Sequence, residues 1–260
     1  MPDIFLSDLH YGAHDEETDQ QIKSDLFSLL DYCEKHHVRI HILGDLFDYW
    51  MEYPGDFPEI GKQILKRFEE YHRDNPATLF ITGNHDNWTR EAFATAGFDV
   101  EPEFRILNLE GSLVFLLHGD GLASSEFRLK RPLLHRLIRS SWFVTFFQNL
   151  TTPAGGLFLM KYFSRFSRWK SHPDPSRLNR WAKEFLASGR ADLILSGHDH
   201  VPRVETFDFG TYINVGTFSE DRTAALHTNG VFELVTWDSE NRQLLPAGKT
   251  RHPELTRTNH

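Results

Sequence analysis

Short apolar runs alternate with longer segments of helical spacing along the first half of the chain. Residues 4–7, 38–43, 78–82, 113–117 and 193–196 are dominated by Ile, Val, Leu and Phe. That pattern belongs to strands buried on both faces. Residues 19–36 and 58–73 space their apolar side chains three and four apart, with Ile22, Leu26, Leu29 and Leu30 on one stripe. Each segment therefore predicts an amphipathic helix. Strand, helix, strand, helix predicts an α/β fold. Three late runs, 203–208, 211–215 and 231–237, follow with no helical segment between them. They predict strands paired with near neighbours, which departs from a simple doubly wound sheet. The polar residues 249–260 read as a frayed tail.

Residues 122–180 break this rhythm. They hold ten aromatics and eleven Lys and Arg residues against only Glu126 and Asp174, a local net charge of +9. Lys161, Arg165 and Arg168 share one helical face, and Leu159, Tyr162, Phe163 and Phe166 the opposite one. Such a segment predicts an inserted helical lid. The expected organisation is a core of residues 1–121 and 181–248, a lid of residues 122–180, and the tail. Within the lid, Pro153 and Gly155-Gly156 mark an expected turn between two helices.

Composition narrows the class. With 260 residues, 40% hydrophobic and 25% charged, the chain is too apolar for disorder and too irregular for a collagen or a coiled coil. No apolar run approaches the roughly 18–20 residues of a membrane span. The start, MPDIFLSDLH, lacks the basic flank and long apolar core of a signal peptide. The single cysteine, Cys33, offers no internal bridge, so a reducing cytoplasm is expected. A formal charge of −9 disfavours phosphate-tracking grooves, and no nucleic-acid partner is expected. The cationic insertion is the local exception.

Five motifs carry candidate chemistry, each at the end of a predicted strand. They are Asp8-Leu9-His10, Gly44-Asp45-Leu46-Phe47-Asp48, Gly83-Asn84-His85-Asp86, His118-Gly119-Asp120 and Gly197-His198-Asp199-His200. Ligands bind at the carboxyl ends of strands in open α/β sheets, so five separate loops can converge on one pocket. Imidazole, carboxylate and amide donors without thiolate suit Mn, Fe, Zn or a similar divalent ion rather than a structural zinc site. Seven such donors exceed the needs of one four-coordinate ion and suffice for two ions that share a carboxylate. Any one of these residues, taken alone, reads as a turn or cap. The ordered set of five does not.

The ordered set DLH, GDLFD, GNHD, HGD and GHDH resembles the calcineurin-like metallophosphoesterases, over residues 8 to about 215. The resemblance implies a four-layer α-β-β-α sandwich of two mixed sheets and a dinuclear centre. One ion would take Asp8, His10, Asp45 and His200; the other would take Asp45, Asn84, His118 and His198. Manganese is the expected metal, with iron or zinc compatible. Two such ions about 3.5–4 Å apart lower the pKa of a bridging water towards ~7 and clamp the phosphoryl oxygens for in-line attack. By the same resemblance, His85 faces the substrate as a catalytic cation or acid, and Asp48 orients its ring. Asp120 and Asp199 are expected as turn residues or as acceptors behind the ligands.

Within that family, the motifs together with the aromatic, basic insertion and Tyr212-Ile213-Asn214-Val215-Gly216 resemble the UDP-2,3-diacylglucosamine pyrophosphatases of bacterial lipid A synthesis. Those enzymes release UMP and 2,3-diacylglucosamine 1-phosphate, and their insertion forms a helical lid over the acyl chains. The resemblance implies a nucleotide-linked glycolipid substrate and peripheral attachment to an anionic membrane surface, on the cytoplasmic face of the inner membrane. Asn84, His85, Arg165 and Arg168 are the candidate substrate contacts, the two arginines from their helical face alone. One departure stands out: His85 occupies the position where the best-known members carry Arg. The alternative is a dinuclear-metal phosphodiesterase or phosphatase acting on another phosphoester.

Overall fold

The computed structural model describes residues 1–89, 91–170 and 174–248, without the side chains of residues 163–170. The expected tail therefore lies outside the described residues. In chain order the strands are β1 (Asp3–Leu6), β2 (Arg39–Ile42), β3 (Leu79–Ile81), β4 (Asp99–Glu101), β5 (Phe104–Leu109), β6 (Ser112–Leu117), β7 (Leu193–Ser196), β8 (Arg203–Phe207), β9 (Gly210–Asn214), β10 (Thr223–Thr228), β11 (Val231–Asp238) and β12 (Gln243–Pro246). The helices are α1 (Glu16–His36), α2 (Lys62–Tyr71), α3 (Ala92–Thr95), α4 (Leu133–Ile138), α5 (Ser141–Leu150), α6 (Pro153–Lys170) and α7 (Pro175–Ala187).

Two mixed sheets form. Seven strands run β12-β11-β10-β1-β2-β3-β4 and five run β5-β6-β7-β9-β8. Phe5, Leu43, Val114, Leu116, Leu195 and Ile213 fill the layer between the sheets. Leu26, Leu30, Leu65 and Phe68 bury α1 and α2 on the outer face of the first sheet. Leu178, Trp181, Ala182 and Phe185 bury α7 against Phe115, Ile194 and Tyr212 of the second. The order is helix, sheet, sheet, helix, as expected from the sequence. The late strands pair as anticipated: β8 with β9 and β10 with β11, both antiparallel.

Among the described helices α3 has no counterpart in the sequence pattern, while α4–α6 occupy the middle of the insertion, where two helices are expected. Helix α7 begins before the expected boundary at residue 180 and runs across it. It belongs by packing to the core, because Leu178, Trp181, Ala182 and Phe185 recur at helical spacing toward the second sheet. The Asp174 carboxylate caps its first turn, and Pro175 occupies a position that needs no backbone donor. The expected turn at Gly155-Gly156 is corrected. Both glycines lie inside α6, and the break between α5 and α6 falls at Thr151-Thr152. Gly156 is required there by close approach: a Cβ would meet the Tyr53 hydroxyl at 2.0 Å.

What the fold positions is a facing pair of strand ends. β1, β2 and β3 run parallel as neighbours in one sheet, and β6 and β7 run parallel in the other. All five motif loops leave the carboxyl ends of these strands, at the same end of the sandwich.

Candidate metal centre

The loops are braced to one another beyond the last strand pairs. The Asp8 amide donates to the Gly44 carbonyl at 3.1 Å and the His10 amide to the Asp45 carbonyl at 3.0 Å. The Gly197 amide donates to the His118 carbonyl at 3.0 Å. Carboxylates do the same, one across the two sheets and one within the first. Asp8 Oδ2 accepts the His198 amide at 2.8 Å, and Asp45 Oδ1 accepts the His85 amide at 2.9 Å. Asp86, which the sequence reading left without a role, joins two loops: Oδ1 accepts from the Gly83 amide and Oδ2 from the Leu46 amide, each at 2.7 Å. Burial and then the nearby Asp45 charge push its pKa up to about 7. Gly83 is needed at this crossing, since a Cβ would meet Asp45 Oδ1 at 2.0 Å.

Five of the seven expected ligand residues adopt left-handed backbone: Asp8, His10, Asp45, His198 and His200 have φ between 46° and 74°. Non-glycine residues rarely sit there, at a cost of order 1–3 kcal/mol each. The network of loop-to-loop bonds holds them there and aims the side chains inward.

All seven converge. Asp8 Oδ1 lies 3.5 Å from His10 Nε2 and 3.2 Å from His200 Nε2, and these two nitrogens are 3.2 Å apart. Asp45 Oδ2 lies 3.8 Å from His10 Nε2 on one side and 3.3 Å from His118 Nε2 on the other. Asn84 Oδ1 lies 3.2 Å from His118 Nε2. The His198 ring packs edge-on against His118 with centroids 5.0 Å apart. His118 Nδ1 donates to the Leu43 carbonyl at 2.8 Å, which turns Nε2 inward.

His85 also reaches this cluster, where one of its ring nitrogens lies within 4.8 Å of ligand atoms of His10 and Asp45. Its Nδ1 donates to the Asp48 main-chain carbonyl at 2.7 Å, whereas the Asp48 carboxylate Oδ1 lies 3.5 Å away. Asp48 thus meets the ring through its main chain as well as through its carboxylate. The same Oδ1 is 3.6 Å from His10 Nδ1.

The electrostatics are those of a cation site. Burial alone would raise the Asp8 and Asp45 carboxyls, yet the imidazoles around them hold both well below the usual range. Burial opposes charge on His118, but the Asp45 carboxylate prevails and its pKa rises to about 10. Burial pushes His85 and His198 down to about 4. Asp8 Oδ1 is buried and takes no hydrogen bond among the described residues. An orphaned carboxylate oxygen facing two imidazole nitrogens, in an N/O donor set, fits a hard or borderline divalent ion. Asp8–His10–His200, His10–Asp45–His85 and Asp8–Asp45–His118 each bring their ligand atoms within 4.8 Å of one another. Asp45 is common to two of these groups.

Asp120 and Asp199 point away from the cluster into arginines. Asp120 Oδ2 meets Arg131 Nε at 3.2 Å and Arg139 Nη2 at 3.1 Å. Asp199 pairs with Arg203 at 2.6 Å. Two of the insertion's basic residues are therefore internal anchors. Arg165 and Arg168 lie on α6, with side chains outside the described residues.

The insertion docks on the rim of the site. Phe143, Val144, Phe147 and Met160 pack on Met51, Tyr53 and Trp88. Trp88 Nε1 donates to the Ile138 carbonyl at 2.7 Å, and the Tyr53 hydroxyl meets Thr151 Oγ1 at 2.6 Å. Lys161 Nζ stands 5.4 Å from the Tyr49 ring centroid, beside Asp48. Leu133, Trp142, Phe146 and Phe158 each expose more than half of their surface on the other side. Among the described residues, no helix is long and apolar enough to cross a membrane.

The chain is similar to several known proteins. A UDP-2,3-diacylglucosamine hydrolase of Neisseria meningitidis serogroup A is 24% identical over 237 residues, covering 88% of this chain and 95% of that protein. One from Shewanella sp. strain W3-18-1 is 27% identical over 218 residues, covering 81% and 86%. A solved archaeal phosphodiesterase superposes with a TM-score of 0.48 at 13% identity, covering 90% of this chain and 98% of that one. The family model of the calcineurin-like phosphoesterases matches residues 1–202. The chain belongs to the calcineurin-like phosphoesterases and is a metal-dependent hydrolase.

Proposed function

We propose that this enzyme hydrolyses the diphosphate of UDP-2,3-diacylglucosamine to UMP and 2,3-diacylglucosamine 1-phosphate, a step of lipid A synthesis, at two divalent ions that share Asp45. The observation that carries the reaction is the position of Asp45 Oδ2, between His10 on one side and His118 on the other. Asp8, His10, Asp45 and His200 would hold one ion; Asp45, Asn84, His118 and His198 would hold its neighbour. Manganese suits this mixed oxygen and imidazole set, as iron or zinc also would. When bound, the ions supply Lewis-acid activation of water and neutralisation of phosphoryl charge.

The protein's own groups orient and screen. The Asp48 carbonyl fixes the rotation of His85 through Nδ1. Burial holds that ring neutral. A diphosphate arriving beside it favours the protonated form, so His85 can serve the phosphoryl oxygens or the leaving group. Asp86 and Gly83 keep the loop that carries Asn84 and His85 at its distance from Asp45.

Two observations support the lipid-linked substrate. The relatives named above are UDP-2,3-diacylglucosamine hydrolases over most of their length. The insertion, docked on the loops of Asp48 and Asn84, carries apolar side chains outward. Acyl chains can be buried on that face, and the segment's net +9 attracts a diphosphate and an anionic bilayer surface. The site would then work at the cytoplasmic face of the inner membrane as a peripheral protein. Arg165 and Arg168 remain candidate substrate contacts on this reading. The GNHD motif, with His85 in place of Arg, favours a second reading, a dinuclear phosphodiesterase with another phosphoester substrate.

Purified enzyme is incubated with UDP-2,3-diacylglucosamine, a bis-aryl phosphodiester and single-stranded DNA, each with Mn²⁺ and with a chelator. Metal-dependent UMP release from the lipid alone is the expected result. Fast hydrolysis of the simple ester only would contradict it and favour the second reading.

A further inference from the structure

Arg139, at the C-terminal cap of α4, reaches through the base of the insertion into the back of the metal loops. Its side chain is 9% exposed. Nη2 donates to the Gly83 carbonyl at 2.7 Å and to Asp120 Oδ2 at 3.1 Å. Nη1 donates to the Pro102 carbonyl at 3.2 Å and to Thr82 Oγ1 at 3.3 Å. Gly83 immediately precedes Asn84, and Asp120 follows His118 by two residues. One guanidinium thus ties the loop after β3 to the loop after β6, across the two sheets.

We infer that Arg139 is a positioning residue for one half of the site, the Asn84–His118 half. The inference rests on the two-ion reading above. Nη2 spans both loops while Nη1 fixes the guanidinium plane on the Thr82 hydroxyl and the Pro102 carbonyl, and the single nitrogen of an ammonium does not reproduce all four contacts. Asn84 Oδ1 and His118 Nε2 stand 3.2 Å apart, and each belongs to a loop that Arg139 holds from behind. The Asp8–His10–His200 half has a different support. It is braced by Gly44, Asp45 and the His198 amide, and Arg139 bonds none of these groups. Arg131, the other arginine on Asp120, also bonds Glu103 and the Gly121 carbonyl, so it braces the loop after β6 without reaching the loop after β3 as Arg139 does. Through Arg139, α4 and the Asn84–His118 half move together. Contacts made on the insertion therefore bias affinity for that half's ion, and the ion biases the insertion by the same factor.

The test measures Mn²⁺ binding to the full-length chain by titration calorimetry and bound-metal analysis, in the parent and in Arg139→Met, Arg139→Lys and Arg139→Ala. The parent is expected to bind two ions. In Arg139→Met one ion is expected to weaken by about 10–100-fold while the other keeps its affinity. Arg139→Lys is expected to fall between, and methylguanidinium to restore the lost affinity in Arg139→Ala. In the metal-free protein, amide exchange at residues 83–86 is expected to rise in Arg139→Met and to stay unchanged at residues 8–11. Two ions at parental affinity in a folded Arg139→Met would overturn the inference. So would equal weakening of both ions, which would make Arg139 a support of the whole fold. Should Arg139→Met not fold, the same comparison is read from Arg139→Lys. A parent that binds fewer than two ions would instead refute the dinuclear reading itself.

Discussion

The metal loops and the insertion are built on opposite principles. The loops are buried, strained and cross-bonded. Asp8, Asp45 and His118 are almost fully covered, and five inward residues hold left-handed backbone. The insertion is apolar on two faces. Phe143 and Phe147 of α5 face Trp88 and Met51, while Trp142 and Phe146 of the same helix face solvent. A helix apolar all round is normally buried, so the outward face of α5 is shaped for something other than water. The contrast separates two tasks. Rigid loops hold reacting groups at fixed distances, and on the function proposed above the docked insertion would select what reaches them.

The largest expected effect lies in the loops. Asp45→Ala removes the carboxylate between His10 and His118, and kcat should fall by a factor on the order of 10³ or more on every substrate. An activity loss below about tenfold would break the contrast, because the shared oxygen would then be dispensable. Next comes the insertion. Replacing Trp142, Phe146 and Phe158 together by Ser should raise KM for the diacyl substrate by about 10–100-fold, given roughly 1.5–3 kcal/mol for each fully buried large side chain and incomplete burial here. Hydrolysis of a bis-aryl phosphodiester should stay unchanged. Equal loss on both substrates would show that the two regions are not separable.

The smallest effect is a control outside both. His72 Nδ1 donates to the Ala96 carbonyl at 2.6 Å, and Nε2 accepts the Thr78 amide at 3.1 Å. Burial holds the ring below the ordinary histidine value. A depressed pKa stabilises the fold above the unfolded value of about 6.5, and that stability is lost as pH falls through the folded value. The parent's melting temperature should therefore drop more between pH 7 and pH 5 than that of His72→Gln. The same difference should appear with and without Mn²⁺. A metal-dependent difference would link this site to the loops.

The sequence reading found the site because its strands are apolar on both faces and its motifs are short, polar and contiguous. β1, β2, β3, β6 and β7 each end one or two residues before a motif. β4, with Asp99 and Glu101 at its ends, and β10, with the sequence TAALHT, lack such runs. They are strands by pairing with β3 and β1 rather than by composition. Helix α7 did carry a signal, in Asp174, Pro175 and the spacing of Leu178 to Phe185, but the charge count of the insertion absorbed its first turns. Arg131 and Arg139 entered that count with the other cations. Their burial against Asp120 is a tertiary fact that no local pattern encodes. The same holds for the main-chain carbonyl of Asp48, a group every residue possesses, which accepts from His85.

The shared role of Asp45 is tested most directly by anomalous diffraction from crystals grown with Mn²⁺. Two anomalous peaks about 3.5–4 Å apart, with Asp45 Oδ2 between them and His10 and His118 on opposite sides, are the expected result. A single peak, or two peaks of which only one touches Asp45, would contradict it.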